Sequence, residues 1–170
     1  MKSLIFNATP LIYITRAGAS KIFEGLEDEK LTSPSVRREV VDEGKHKGVP
    51  DAVVLERMFE SNVFKVVEPK NQKLLRSLLQ TKGLHITDAE VLALARERNG
   101  MAVIDDEVAR KTARIFGISY VGTPYILMKA VMARLISKER AIQTIGEMIH
   151  AGWRCSVESY VKIMNAIEAL

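Results

Sequence analysis

Four acidic positions hold the chemistry this chain offers, and the first of them carries an amide. Asn7 follows the apolar run Ser3-Leu4-Ile5-Phe6, and Glu39 lies in the stretch after Ser33-Pro34. Asp88 heads a helical pattern, and Asp105-Asp106 follow Met101-Ala102-Val103-Ile104. Oxygen ligands without His or Cys favour Mg2+ or Mn2+ over zinc. Such an ion polarises a phosphoryl group and deprotonates a water for in-line attack. Each position also has a plain structural use. Asp88 suits a helix N-terminus, where the dipole favours a carboxylate by ~0.3–1 kcal/mol. Glu39, among Arg37, Arg38, Asp42 and Glu43, suits a solvated face. The pair Asp105-Asp106 is the most specific, because adjacent carboxylates repel unless a cation or a positive dipole compensates.

The elements that must position these residues alternate between short apolar runs and amphipathic patterns. Residues 3–6, 101–104 and 118–121 read as buried strands, 63–67 as a short β-rich strand and 30–32 as a weak one. Thr9-Pro10 starts a helix to about Ala17, a short helix covers residues 19–26, and Ser33-Pro34-Ser35 leads a third helix to about Glu43. Gly44 to Gly48 reads as a polar loop, followed by helices over 50–60 and 70–80. Thr87-Asp88-Ala89-Glu90 has the form of a capping box, Thr87 and Glu90 each satisfying the other's backbone N–H. The helix it opens ends at Asn99-Gly100, another spans 106–116, and three helical patterns follow Pro124 with breaks near Ser137 and Gly152. Strands separated by helices require crossovers and a parallel sheet. The prediction is a three-layer α/β/α domain over 1–170, with four to five parallel strands and a helical C-terminal extension over 137–170. Asn7 and Asp105-Asp106 then fall at the carboxyl edge of the sheet, where open α/β sheets bind ligands.

Composition narrows the class. Of 170 residues, 47% are hydrophobic and 27% charged, which excludes a disordered chain. The net charge of +4 permits a polyanionic partner without requiring one. The lone Cys155 has no partner for an internal disulfide, which points to a reducing, cytoplasmic setting. The apolar N-terminus is interrupted by Asn7, Thr9 and Pro10 and lacks a cleavage-site pattern. No apolar run approaches the ~20 residues of a membrane span. Neither G-x-G-x-x-G nor G-x-x-x-x-G-K-[ST] occurs, which argues against a nucleotide-binding Rossmann domain.

The ordered set of motifs resembles the PIN-domain nucleases, in particular a prokaryotic branch with Ser/Thr-Pro-Leu-Ile after the first strand. Here that motif is Asn7-Ala8-Thr9-Pro10-Leu11-Ile12. Glu39-Val40, Asp88 to Ala95, and Val103-Ile104-Asp105-Asp106 with Ala109-Arg110 resemble the family's later acidic positions. Val121-Gly122-Thr123 and residues 151–156 look like the same branch, so the likeness spans nearly the whole chain. The resemblance implies a PIN-like, Rossmann-like fold and a Mg2+- or Mn2+-dependent ribonuclease. It also implies that RNA is the substrate and that the protein can be a homodimeric toxin held by an antitoxin. Carried over by position, Glu39, Asp88 and Asp106 are metal ligands, Asp105 is a fourth ligand or an orienting residue, and Thr9 lies near the site. Asn7 stands where the family has its first Asp. It leaves three readings open: an active enzyme with Asn7 as a poorer ligand, a fold kept for binding RNA or protein, or a silenced nuclease.

RNA would need cations around the acids. Lys45 and Lys47 after the Glu39 helix, and Arg110, Lys111 and Arg114 after Asp106, are the candidates, set against their simpler use in solvating helix surfaces. Aromatic residues make up 6%, too few for an extended stacking platform. The Met-bearing C-terminal helices suit core packing, or a dimer or antitoxin contact.

Overall fold

In a computed structural model that describes residues 3–170, the apolar runs form a five-stranded, wholly parallel sheet in the order β3-β2-β1-β4-β5. The strands are β1 (Leu4–Phe6), β2 (Lys30–Thr32), β3 (Lys65–Val66), β4 (Met101–Val103) and β5 (Tyr120–Val121). Leu4, Ile5, Phe6, Ala102 and Val103 are fully buried. Continuous apolar strands of this kind belong to sheets covered on both faces. Ile5 pairs with Leu31 on one side and Ala102 on the other, so β1 is central. Gly100 permits that closeness, since a Cβ there would stand 2.6 Å from both Ser3 O and Ile5 Cδ1.

Helices complete the three-layer α/β/α arrangement. They are α1 (Ala8–Arg16), α2 (Lys21–Gly25), α3 (Pro34–Arg37), α4 (Gly44–His46), α5 (Pro50–Glu60), α6 (Gln72–Leu79), α7 (Ile86–Glu97), α8 (Glu107–Ile115), α9 (Thr123–Met132), α10 (Lys138–His150) and α11 (Val157–Glu168). α7 packs on β1 and β4 with α6 and α8 beside it. Its residues 91–95 are buried around the whole circumference, as a central helix requires. α1 packs against α5, α9 and α10, and α11 against α9 and α10. No helix among the described residues is long and apolar enough to cross a membrane.

Two local expectations are corrected. The predicted loop at 44–48 begins as the helical turn α4, continuous with a π-helical segment, Arg38–Glu43, that follows α3. The Thr87–Glu90 capping box does not form, because α7 starts two residues earlier: His85 is its cap and Asp88 its third residue. Glu90 instead accepts hydrogen bonds from the Oγ and N–H of Ser35, fastening α7 to α3.

Beneath the β1–β2 side of the sheet, Phe6, Phe23 and Phe64 meet edge to face, with centroids 5.0 to 5.6 Å apart. All three rings are buried. Phe23→Ala should destabilise the protein by about 3–5 kcal/mol, because rings packed on both sides cannot collapse into the void. Urea unfolding followed by tryptophan fluorescence checks this.

Candidate active site

The strand order reverses between β1 and β4, which opens a crevice beyond their carboxyl ends. Asn7, the first residue past β1, caps α1. Its Oδ1 accepts the Ala8 N–H at 2.8 Å, which sets the amide's orientation and directs Nδ2 at Asp88 Oδ1, 2.6 Å away. Asp88 Oδ2 in turn accepts the His85 N–H at 3.3 Å. Across the crevice Asp106 caps α8, with Oδ1 accepting the Ala109 N–H at 2.9 Å. Glu39 comes from the π-helical segment, whose widened turn is a feature often found at functional sites.

A cavity of about 480 Å3 is walled by Asn7, Thr9, Glu39, Asp88 and Asp106. Thus five of the predicted positions, from β1, α1, the π-helical segment, α7 and the β4–α8 turn, meet in one place. Glu43, Ser35, Arg38 and His85 join them. Glu43 was legible as the i+4 neighbour of Glu39. Ser35, Arg38 and His85 carry no sequence signal beyond proximity to Glu39 and Asp88.

Asp105 is not brought to this cavity. It turns the other way, where Oδ1 accepts from Thr123 N–H (2.8 Å) and Arg110 Nη2 (3.3 Å), and Oδ2 from Thr123 Oγ1 (2.6 Å) and Trp153 Nε1 (2.9 Å). Adjacent carboxylates thereby avoid each other: one is compensated by donors, the other faces the crevice. Arg110 is likewise engaged, with Nε donating to Ile104 O at 3.0 Å. Of the other cations, Lys45 pairs with Glu56 (2.8 Å) and Lys111 with Glu107 (2.7 Å). Lys47 and Arg114 are exposed and have no ion-pair partner among the described residues. Lys47 alone of the five is close enough to Glu39 to oppose its proton affinity.

The electrostatics show a site short of positive charge. Burial raises the Asp88 carboxyl above the usual carboxylate range and Asp106 raises it further, against the His85 N–H and the Asn7 amide. Glu39 is raised by burial, then by Glu43 and Asp88, with Lys47 and His85 opposing. Among the described residues no three His, Cys, Asp or Glu side chains are close enough to grip an ion unaided. The donor set still fits Mg2+, which keeps several waters and takes one or two carboxylates plus a substrate phosphate. Glu39, Asp88 and Asp106 would hold it, with the Asn7 amide oxygen already occupied by the α1 cap.

The profile of a family described as "PIN domain" matches residues 3–169. The chain is also 33% identical over 108 residues to the endoribonuclease Nob1 of Pyrococcus abyssi (strain GE5 / Orsay). That match covers 60% of this chain and 63% of the relative, so less than two thirds of the relative's length is spanned.

A carboxyl whose pKa is raised on folding contributes stability in full below the ordinary carboxylate range and loses it as pH rises through the raised value. Glu39→Gln should therefore raise the melting temperature at neutral pH, and the gain should shrink to nothing as the pH falls through the carboxylate range. Thermal unfolding of both proteins from pH 7 to pH 3.5 measures this.

Proposed function

The chain belongs to the PIN-domain family, and on that premise we propose that it is an endoribonuclease that hydrolyses RNA with Mg2+ or Mn2+ at the acidic cavity. The observation that carries this reading is the meeting of Glu39, Asp88 and Asp106 beyond β1 and β4, where burial and then Asp106 raise the proton affinity of Asp88, and burial, Glu43 and Asp88 raise that of Glu39. The name of the partial relative, an endoribonuclease, supports RNA as the substrate. When bound, the ion would supply a polarised phosphoryl oxygen and an ionised water. Asp106, the most exposed of the three acids, would face the ion and the substrate phosphate directly. Asp88 and Glu39 would orient the hydrated ion from the cavity wall, and Thr9, in the first turn of α1, would hydrogen-bond a phosphate oxygen. Asp105 stands outside the ligand set as a positioning residue that fixes the turn bearing Asp106. Of the five predicted cations, Lys47 and Arg114 have no ion-pair partner among the described residues and would serve the RNA backbone. A toxin role, a cognate antitoxin and a homodimer come from the family resemblance, and a cytoplasmic setting from the lone Cys155. The exposed Val157, Tyr160 and Val161 of α11 offer apolar surface of the kind such protein contacts use.

One observation favours a second reading, a PIN-domain module that binds RNA or protein without cutting. The Asn7 Nδ2–H donates a hydrogen bond to Asp88 at 2.6 Å and so meets part of the demand that a cation would meet beside an Asp at that position.

Two substitutions separate these readings. Asp106→Asn keeps a good helix cap and should lower divalent-dependent RNA cleavage by roughly 100-fold or more. Asn7→Asp should lower the melting temperature in chelator, because two carboxylates then replace the amide–carboxylate pair. It should also tighten Mg2+ or Mn2+ binding by roughly tenfold or more, since a unit charge ~4 Å from a cation gains on the order of 4 kcal/mol before desolvation and repulsion are subtracted. Cleavage of labelled RNA and thermal shift, each with and without the ion, give both answers. No cleavage by either the unaltered or the Asn7→Asp protein would remove the hydrolase reading.

A further inference from the structure

The hydrolytic reading leaves a second concavity unused. It is a cleft of about 470 Å3 between α9, the segment joining α10 to α11, and the start of α11. Tyr125, Met128 and Ile163 give it apolar walls, and Arg110, Arg154 and Lys162 give it positive charge. Its acidic wall residue among the described residues is Asp105, whose oxygens are already occupied by Thr123, Trp153 and Arg110. Arg154 is exposed and joins no ion pair among the described residues. Lys162 pairs with Glu158 one turn away, with both side chains more than 70% exposed at 73% and 78%. Such a surface pair holds its lysine only weakly.

The cleft is not isolated. A third concavity of about 510 Å3 shares Thr9 and Asp106 with the acidic cavity and shares Asp105, Trp153 and Arg154 with the cleft. One trough therefore runs from Asp106, past residues 152–154, into the cleft. Its two ends differ in chemistry: carboxylates at the first, apolar surface ringed by cations at the second. That sequence of environments matches a nucleic-acid strand, with a phosphate at the metal site and, further along, a base laid on apolar side chains beneath cations that follow the backbone. The cleft volume lies within the ~300–1,000 Å3 range of small-ligand sites. A base reaches such a recess only when it is unpaired and splayed from its neighbours.

We propose that the α9/α11 cleft seats an unpaired nucleobase of the RNA strand whose scissile phosphate lies at the acidic cavity, with Arg154 holding an intervening phosphate. This rests on the hydrolase reading above and narrows it to single-stranded or looped RNA. A strand that occupies only the acidic end gains nothing from the cleft, so affinity rises with length until both ends are filled.

Trp153 is the single tryptophan of the chain and lines both the trough and the cleft, so its emission reports occupancy. The experiment titrates the protein with oligoribonucleotides from dinucleotide to octanucleotide, and with a duplex of the longest. It is run in chelator and again with Asp106→Asn protein in Mg2+. Longer single strands should shift the emission; the dinucleotide and the duplex should not. Ser159→Phe, at an exposed position on the cleft wall, should weaken binding of the longer strands by roughly tenfold. Arg154→Gln should reduce the slope of log affinity against log salt by about one. Unchanged strand affinity in both variants, in protein that cleaves RNA, would overturn the cleft and leave the hydrolase reading standing. Strand binding sensed by Trp153 without cleavage under any divalent ion would remove the hydrolase reading and keep the cleft as a strand-binding site. Altered self-association in the two variants with RNA binding intact would overturn the proposal in favour of a protein contact.

Discussion

A buried carboxylate at the centre of the molecule is the constraint around which the rest is arranged. Asp88 is 3% exposed, and a charge removed from water is strongly unfavourable unless donors replace the lost hydration. Here three sources do so: the Asn7 amide, the His85 N–H and the positive end of α7. Each fixes an element. The first joins the cap of α1 to α7, and the second sets where α7 begins. The third requires the helix to point its N-terminus at the crevice, which the crossover from β3 to β4 delivers. Compensation is incomplete, because the Asp88 carboxyl remains raised. What is left is an unmet demand for positive charge, placed where a phosphate-bound ion would sit.

The neighbouring pair Asp105-Asp106 solves the same problem by division. Asp106 keeps one oxygen on the α8 cap and leaves the rest to the crevice. Asp105 gathers donors from β5's exit, from α8 and from the segment before α11. Glycine at 122 leaves room for this grip, because a Cβ there would stand 3.1 Å from Asp105 Oδ1 and displace the Arg110 guanidinium. The C-terminal helices are thereby tied to the residue next to Asp106. Packing changes around Trp153 therefore reach the site through a hydrogen bond.

Sequence reading succeeded where a physical signal was local. The apolar runs gave the strands, and Pro10, Pro34 and Gly117 marked helix ends near their true positions. Asn7, Asp88 and Asp106 were legible because strand ends and helix starts are readable, and topology then gathers them; Glu39, inside a helical stretch, was marked only by the family resemblance. It failed where the deciding partner lay far along the chain. Nothing near Asp105 announces Trp153, 48 residues away, and nothing near Glu90 announces Ser35, 55 residues earlier. Thr87 and Glu90 fit a capping box as well as His85 and Asp88 do in local terms. The long-range pull of Asn7 on Asp88 and of Ser35 on Glu90 selects the latter. Lys45, Arg110 and Lys111 looked free because sequence shows charge but not its partner.

The Asn7–Asp88 bond gives the amide a definite physical meaning. Its Oδ1 is held by the α1 cap, so the group that faces Asp88 is a donor. An Asp in the same rotamer would set two carboxylates against each other at 2.6 Å, an arrangement that is stable only with a proton or a cation between them. With Asn the crevice is stable alone. With Asp its stability would depend on what it binds. Asn7 therefore favours folding stability while leaving Glu39 and Asp106 on the wall of the cavity. A site with one acid fewer would need a higher ion concentration to fill than a site with four acids. The ion-free protein, conversely, should hold its crevice in the same shape it has when filled. That preorganisation favours strand binding even where cleavage is slow.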